Sequence, residues 1–414
     1  FPSGLANLPF LTDLNLGGCN LYGTYPDDLF SLSYLRYLRM PTNALSGNIS
    51  RFFELPSLEI LHVELNRLYG TLPRNDEVDW RMSRIVEFHA VSNSIENGLP
   101  SDIFRITTLS QLDVSYNPLG GTLPEIPLSS PMSRLSLSQA EFEGTIPRNW
   151  TELSLLLELT LDANSLTGTL PAFTRNSILE ILIVDDNQLS GTLCDQLPIV
   201  LKEFRAKGNS FSGQICDDVF PPLLEDVVLA NNDFFGTLPT SLPSSEALQF
   251  VDFSGNSFVG TIPWGLFEIY PMQLLKFDNN MLSGSLPTEV RGLDKISTIN
   301  LSNNRLSGSV PYFDCPELTK LILGNNSFSG ELVLAESITL LRVLDIRNNQ
   351  LEGELGDSWG GLGYLEEVYL NNNSFSGAFP ILRGLQIDFP TRRVILDLAT
   401  LDASYNQFTS LSGA

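Results

Sequence analysis

Ile296–Pro311 reads ISTINLSNNRLSGSVP, and Leu156–Pro171 reads LLELTLDANSLTGTLP. Aligned on Asn304 and Asn164, both segments follow the frame L-x-x-N-x-L-x-G-x-(L/V)-P. The frame recurs seventeen times, indexed at Cys19, Asn43, Asn66, Asn93, Asn117, Ala140, Asn164, Asn187, Asn209, Asn232, Asn256, Asn280, Asn304, Asn326, Asn349, Asn373 and Asn406. Steps are 22 to 24 residues, apart from 27 between Asn66 and Asn93 and 33 between Asn373 and Asn406. A fixed period in the twenties marks a solenoid, because one such unit cannot bury its apolar face alone.

Each position in the frame has a physical task. The residues five and three before the index are apolar in every unit, from Leu14 and Leu16 to Val368 and Leu370 and beyond. With alternating neighbours they make a short strand with one face in and one face out. Stacked units set these strands side by side in parallel, about 4.8 Å apart. The index amide carries both donors and an acceptor, so a buried column of Asn can satisfy turn backbone. Gly four residues later suits a tight bend, and Pro seven later fixes an extended segment. An apolar column two past the index, including Leu45, Leu68, Phe211, Phe234, Phe258, Phe328 and Phe375, fills the far side of the core.

The segments GTLP, SGTL, SFSG and NNRLSGSVP resemble the plant-type leucine-rich repeat, and the likeness covers essentially the whole chain. The preference for GTLP over G-x-I-P is similar to algal and other protist versions of that family. The resemblance implies an α/β solenoid of about 17 units of 22–24 residues, a parallel β-sheet on a concave face, a second sheet flank near G-x-L-P, and little helix. It also implies a receptor-like or secreted ectodomain. The unbroken repeat reads as one domain over residues 1–414. Phe1-Pro2 aligns with Tyr25-Pro26, partway through a unit, and the cysteine-paired N-terminal cap of plant relatives is missing. The expectation is the interior of a longer chain, whose ends hold caps, a secretion signal, a membrane anchor or another domain.

The net charge of −24, from 48 acids and 24 bases, argues against nucleic acid and against anionic polymers. Basic proteins or peptides, neutral glycans and calcium are compatible, as is simple solubility. No apolar run in this segment is long enough to cross a membrane. Cys194 and Cys216 hold the Pro position of adjacent units, where Cα atoms lie roughly 5 Å apart, so a disulfide is expected. That bridge, the sequons at Asn48, Asn149, Asn300, Asn325 and Asn372, and the acidic charge favour a secreted or cell-surface location. Asn149 ranks first for glycosylation on accessibility. Cys19, in the Asn ladder, is expected to be a buried free thiol, and Cys315 to be free.

Outward positions six, four and two before the index form three columns that a partner would read. Two patches stand out. His62 and His89 are neighbours in the middle column, beside Tyr37, Glu64, Glu87 and Asp113. Three readings stand: a transition-metal site, a pH-sensitive contact, or ordinary polar surface, and the last is the default. The second patch joins Ile181, Ile183, Val228, Phe250 and Leu274 with Arg205, Lys207 and Lys276. Trp80, inside the charged segment Arg74 to Arg84, is read as a core lid or as a contact residue. Catalysis finds no support. Ser115 and Ser136 are the serines nearest the two histidines, a shallow sheet offers no oxyanion pocket, and pairs such as Asp185 with Asp186 and Glu158 with Asp162 are expected to be solvated.

The reading is therefore a non-catalytic extracellular binding module without cofactor or metal. It takes a protein, peptide or glycan through Tyr37, Arg39, His62, His89, Ile183, Arg205, Val228, Phe250 and Tyr369. Alternatives are a structural or adhesive component of a cell surface, wall or fibre, and a secreted inhibitor of wall-degrading enzymes.

Overall fold

A computed structural model describes residues 1, 4–74, 83–173, 177–194, 197–242, 246–356, 359, 361–380, 386–388, 393–395 and 398–411. Trp80 lies outside the described residues. The chain forms two compact units, Phe1–Gly191 with Asp195–Ser210, and Thr192–Cys194 with Phe211–Ala414.

The first unit stacks the strands Asp13–Asn15, Tyr37–Arg39, Ile60–His62, Glu87–His89, Gln111–Asp113, Arg134–Ser136, Glu158–Thr160, Ile181–Ile183 and Glu203–Arg205. The second stacks Asp226–Val228, Phe250–Asp252, Leu274–Lys276, Thr298–Asn300, Lys320–Ile322, Val343–Asp345, Glu367–Tyr369 and Thr400–Asp402. Within each unit neighbours pair in parallel with no register shift, so Leu38 faces Leu61 and Val251 faces Leu275. In most of these strands the middle residue is buried while its two flanks are half-exposed, as in Tyr37–Arg39 and Phe250–Asp252. The return path adds a second parallel ladder, for example Ser165–Thr169 with Gln188–Gly191 and Asp233–Thr237 with Ser257–Gly260. Short 3-10 turns replace α-helix, several led by the frame's Pro: Pro26 before Asp27–Ser31, Pro147 before Arg148–Glu152, and Pro263 before Trp264–Glu268.

The index asparagines close each coil. Asn280 Nδ2 donates to Phe253 O at 3.0 Å, Phe277 O at 3.1 Å and Asp278 O at 3.2 Å, and its Oδ1 accepts the Phe258 N–H at 2.9 Å. Asn117 and Asn187 repeat the pattern in the first unit. One amide thus satisfies four backbone groups from two coils that the strand ladder does not reach. Beneath it, Phe211, Phe234 and Phe258 stack with centroids 6.2 and 6.1 Å apart, all fully buried.

A left-handed column immediately before the index was not foreseen from the repeat. Thr42, Leu65, Tyr116, Ala163, Asn231, Asn279, Asn303, Asn325, Asn348 and Asn372 all have φ between 51° and 57°. Such a conformation costs an L-residue about 1–2 kcal/mol. Gly208 takes the same place at φ 65°, where a Cβ would meet Asp186 Oδ1 at 2.2 Å. In the second unit the column offsets part of its cost through amide bonds along the stack. Asn325 donates to Asn303 at 2.7 Å, Asn348 to Asn325 at 2.5 Å and Asn372 to Asn348 at 2.5 Å.

Cys194 and Cys216 are bridged, with Cα atoms 5.0 Å apart. Cys315 is a buried free thiol, and burial pushes its pKa up to about 12. Cys19 is free but exposed, contrary to expectation. The strand residue Leu14 of the same coil is likewise only half-buried. The 33-residue step contains a backbone pair not implied by the frame, the antiparallel strands Gln386–Asp388 and Arg393–Ile395.

Asn280→Ala is expected to cost about 2–4 kcal/mol in urea unfolding, since it orphans buried backbone groups. Asn279→Gly, one residue away at φ 56°, is expected to be neutral or stabilising. Equal effects from the two substitutions would contradict the division of labour described. Reducing Cys194–Cys216, which closes 22 residues, is expected to lower stability by about 3 kcal/mol, read as the shift between oxidised chain and the double Cys→Ser variant.

Candidate functional site

The outward strand face places every sequence-derived contact residue at the surface. Tyr37, Arg39, His62, His89, Ile183 and Arg205 in the first unit, and Val228, Phe250 and Tyr369 in the second, are all half-exposed. None turns into the core.

In the first unit, strand pairing sets His62 opposite His89. Their rings stack with centroids 4.5 Å apart and planes within 4°. His62 Nε2 lies 3.3 Å from Glu87 Oε2, and His89 Nδ1 lies 3.5 Å from Glu64 Oε1. Burial depresses the His62 pKa, and the neighbouring His89 adds to that depression. Burial also depresses His89, but the Glu64 carboxylate more than offsets it, and the net direction is upward. The stack therefore holds two unlike imidazoles on one face. Beside it, Arg36 and Arg39 lie over the Tyr37 ring at 5.2 and 5.5 Å.

Several cationic side chains on this face carry acidic partners, which the sequence reading did not anticipate. Arg36 pairs with Glu59 at 2.7 Å, Arg39 with Asp13 at 3.5 Å and Arg205 with Asp185 at 3.1 Å in the first unit. Lys276 pairs with Asp252 at 2.8 Å and Arg347 with Asp345 at 3.3 Å in the second. The pairs exposed on both sides, such as Arg36 with Glu59, contribute little to stability. Their effect is to hold long side chains in fixed positions and to neutralise the bases, which leaves the acidic excess to define the surface potential.

The second patch divides between the units. Ile181, Ile183, Arg205 and Lys207 belong to the first; Val228, Phe250, Leu274 and Lys276 belong to the second. Within the second unit Phe250 sits in register with Leu274, so two apolar side chains lie side by side on the outward face. Asp185 departs from the expectation of a solvated carboxylate. It is 7% exposed, and burial raises its pKa against the opposing Lys207 N–H bond and Arg205 guanidinium. Glu158 remains half-exposed beside Arg134. Asp278 and Asp345 are raised by burial in the same way. Asp185 and Asp278 sit two residues before their index amides, beside the turn where the chain is drawn inward, while Asp345 ends its strand.

The sequons differ in setting. Asn149 is half-buried and its Nδ2 donates to Ile126 O at 2.7 Å, so accessibility does not rank it first. Asn48 and Asn372 are the exposed ones, while Asn300 and Asn325 are half-exposed on the stacked coils.

The Leucine Rich Repeat family model matches residues 340–362. Among curated proteins, Receptor-like protein 35 of Arabidopsis thaliana is 29% identical over 239 residues, 56% of this chain and 25% of that protein. Receptor-like protein 54 of the same plant is 30% identical over 258 residues, 59% of this chain and 31% of that protein. The chain thus spans about a quarter to a third of the length of these relatives. Among solved structures, the ectodomain of the Arabidopsis receptor kinase HAESA, in complex with an IDA peptide hormone, superposes with a TM-score of 0.84. It shares 30% identity over 99% of this chain and 68% of that one.

Asp278 supplies a pH prediction. Its folded-state pKa lies above the unfolded carboxyl value, so its ionisation penalty is absent below about pH 4 and grows as pH rises through the folded-state value. Asp278→Asn is therefore expected to raise the thermal midpoint at pH 7, with the gain vanishing toward pH 4. A gain that grows on acidification would contradict the sign.

Proposed function

The chain belongs to the leucine-rich-repeat proteins of the plant receptor type, and on that premise we propose that it is a non-catalytic recognition module for an extended peptide or protein ligand. Its setting is extracellular, in keeping with the receptor-like kinship and the Cys194–Cys216 bridge. The observation that carries the proposal is the outward face itself. Parallel pairing without register shift presents columns of half-exposed side chains at a constant spacing, on a backbone paired strand to strand. A rigid array of this kind loses little conformational freedom when a ligand docks.

Residue chemistry narrows the ligand. The paired bases and the charge of −24 favour a partner with cationic or neutral contacts over a polyanion. Phe250 and Leu274 supply an apolar anchor in the second unit, and Tyr37 flanked by arginines supplies an aromatic one in the first. The HAESA ectodomain, which binds a peptide hormone, supports a peptide over a glycan as the ligand class. Tyr37, Arg39, His62, His89, Ile183, Arg205, Val228, Phe250 and Tyr369 are the proposed contacts, with the apolar and aromatic ones carrying most of the energy.

Panning a displayed peptide library against the full chain tests this reading. Selected peptides are expected to lose at least tenfold in affinity for Phe250→Ala or Tyr37→Ala. They are expected to be indifferent to Leu128→Ala, at an exposed apolar position off the strand face. Selected peptides that ignore both strand-face substitutions would sink the proposal.

A further inference from the structure

We propose that His62, His89 and Glu64 form a binding site for a divalent transition-metal ion, with zinc the best-matched probe. One imidazole nitrogen from each histidine and one Glu64 carboxylate oxygen all lie within 4.8 Å of one another. The two strands are locked in register by backbone bonds that flank the histidines, Glu87 N to Glu59 O at 3.2 Å and Val63 N to His89 O at 2.9 Å. The imidazoles are therefore brought together by the sheet and not by chance rotamers.

A second observation points to the same place. His62 Nε2 and Glu64 Oε2 are both sealed from solvent and have no hydrogen-bond partner. Although Glu87 Oε2 stands 3.3 Å from His62 Nε2, the pair lacks hydrogen-bond geometry. Buried nitrogen and oxygen atoms left in this state cost stability unless something engages them. A cation accepting both lone pairs would do so. Glu64, Glu87 and Asp113 act on the site against Arg39, so the local field favours a positive ion.

The donor set selects the ion class. Two imidazoles with one carboxylate suit zinc, nickel, cobalt or copper(II), whereas calcium takes six or more oxygens. Three protein ligands leave one position open. Zinc bonds of about 2.0–2.2 Å require the donor atoms to draw closer than they now stand. Parallel rings aim their lone pairs side by side, so binding must tilt the imidazoles out of their stack. Both side chains retain an exposed edge, 22% for His62 and 27% for His89, which gives room for that tilt. The inference does not depend on the recognition reading above.

Isothermal titration of zinc into the full chain, with cobalt absorption as a second readout, tests the site. One saturable equivalent is expected, with a tetrahedral-type cobalt spectrum. His62→Ala and His89→Ala are each expected to weaken binding at least tenfold and abolish that spectrum, while excess calcium leaves it unchanged. His62→Gln, closer in size and polarity, is measured alongside and is expected to show the same loss, so misfolding of an alanine variant leaves the test intact. Zinc affinity unaltered in His62→Gln and His89→Ala, absence of saturable binding at millimolar zinc, or displacement by calcium would overturn the proposal.

Discussion

The buried carboxamide at the index position is the interaction on which the remaining structure depends. A parallel strand of three residues exhausts its ladder bonds quickly, and the chain must then turn inward with its carbonyls unsatisfied. Asn280 shows the solution, giving its two amide hydrogens to three carbonyls and receiving a backbone N–H from the preceding coil. No other uncharged side chain of that length offers both functions at once. Where the amide is missing, at Ala140, the following Asn164 accepts the Ala140 N–H at 3.2 Å as well as that of Phe142 at 2.9 Å. The column tolerates one gap because each amide reaches across two coils.

Strand face and amide column together divide each unit between fixed and free positions. Leu61 and Phe88 are wholly buried, and their chemistry is dictated by the core. His62 and His89, one residue along, are held in place by the same backbone but pack on each other outside the core. Fixed geometry with free chemistry is what a binding surface needs, and the family kinship with receptor ectodomains is consistent with that division. The paired bases refine the picture. Arg205 and Lys276 are not free hands awaiting a ligand, because Asp185 and Asp252 already hold them.

Much of the fold was legible because the repeat is strict. The index column, the inward residues, the outward columns and the Cys194–Cys216 bridge all follow from counting, since equivalent positions in neighbouring coils must be neighbours in space. Counting fails where a position demands a backbone conformation and not a side-chain type. Leu65 and Tyr116 share φ near 55° with Asn279 but not its chemistry, so where Asn or Gly does not mark the left-handed column it leaves no trace in composition. It also fails where burial depends on a neighbour's bonds. Asp185 looks like a surface acid until Lys207 and Arg205 close over it. Asn149 looks accessible until its amide finds Ile126 O. For the candidate site, the adjacency of His62 and His89 was readable, whereas their face-to-face stack and the orphaned Nε2 required coordinates.

The last index residue carries a wider implication. Asn373 Nδ2 reaches back 27 residues to Ile346 O at 2.9 Å, and Asn406 reaches back 36 residues to Leu370 O at the same 2.9 Å. Tyr369 still faces Asp402 in register across that longer interval. Coil closure is thus set by where the amide lands and not by how many residues intervene. Insertions on the return path are consequently almost silent to the strand array, which gives this architecture a place to acquire or shed sequence over evolutionary time without disturbing the face it displays.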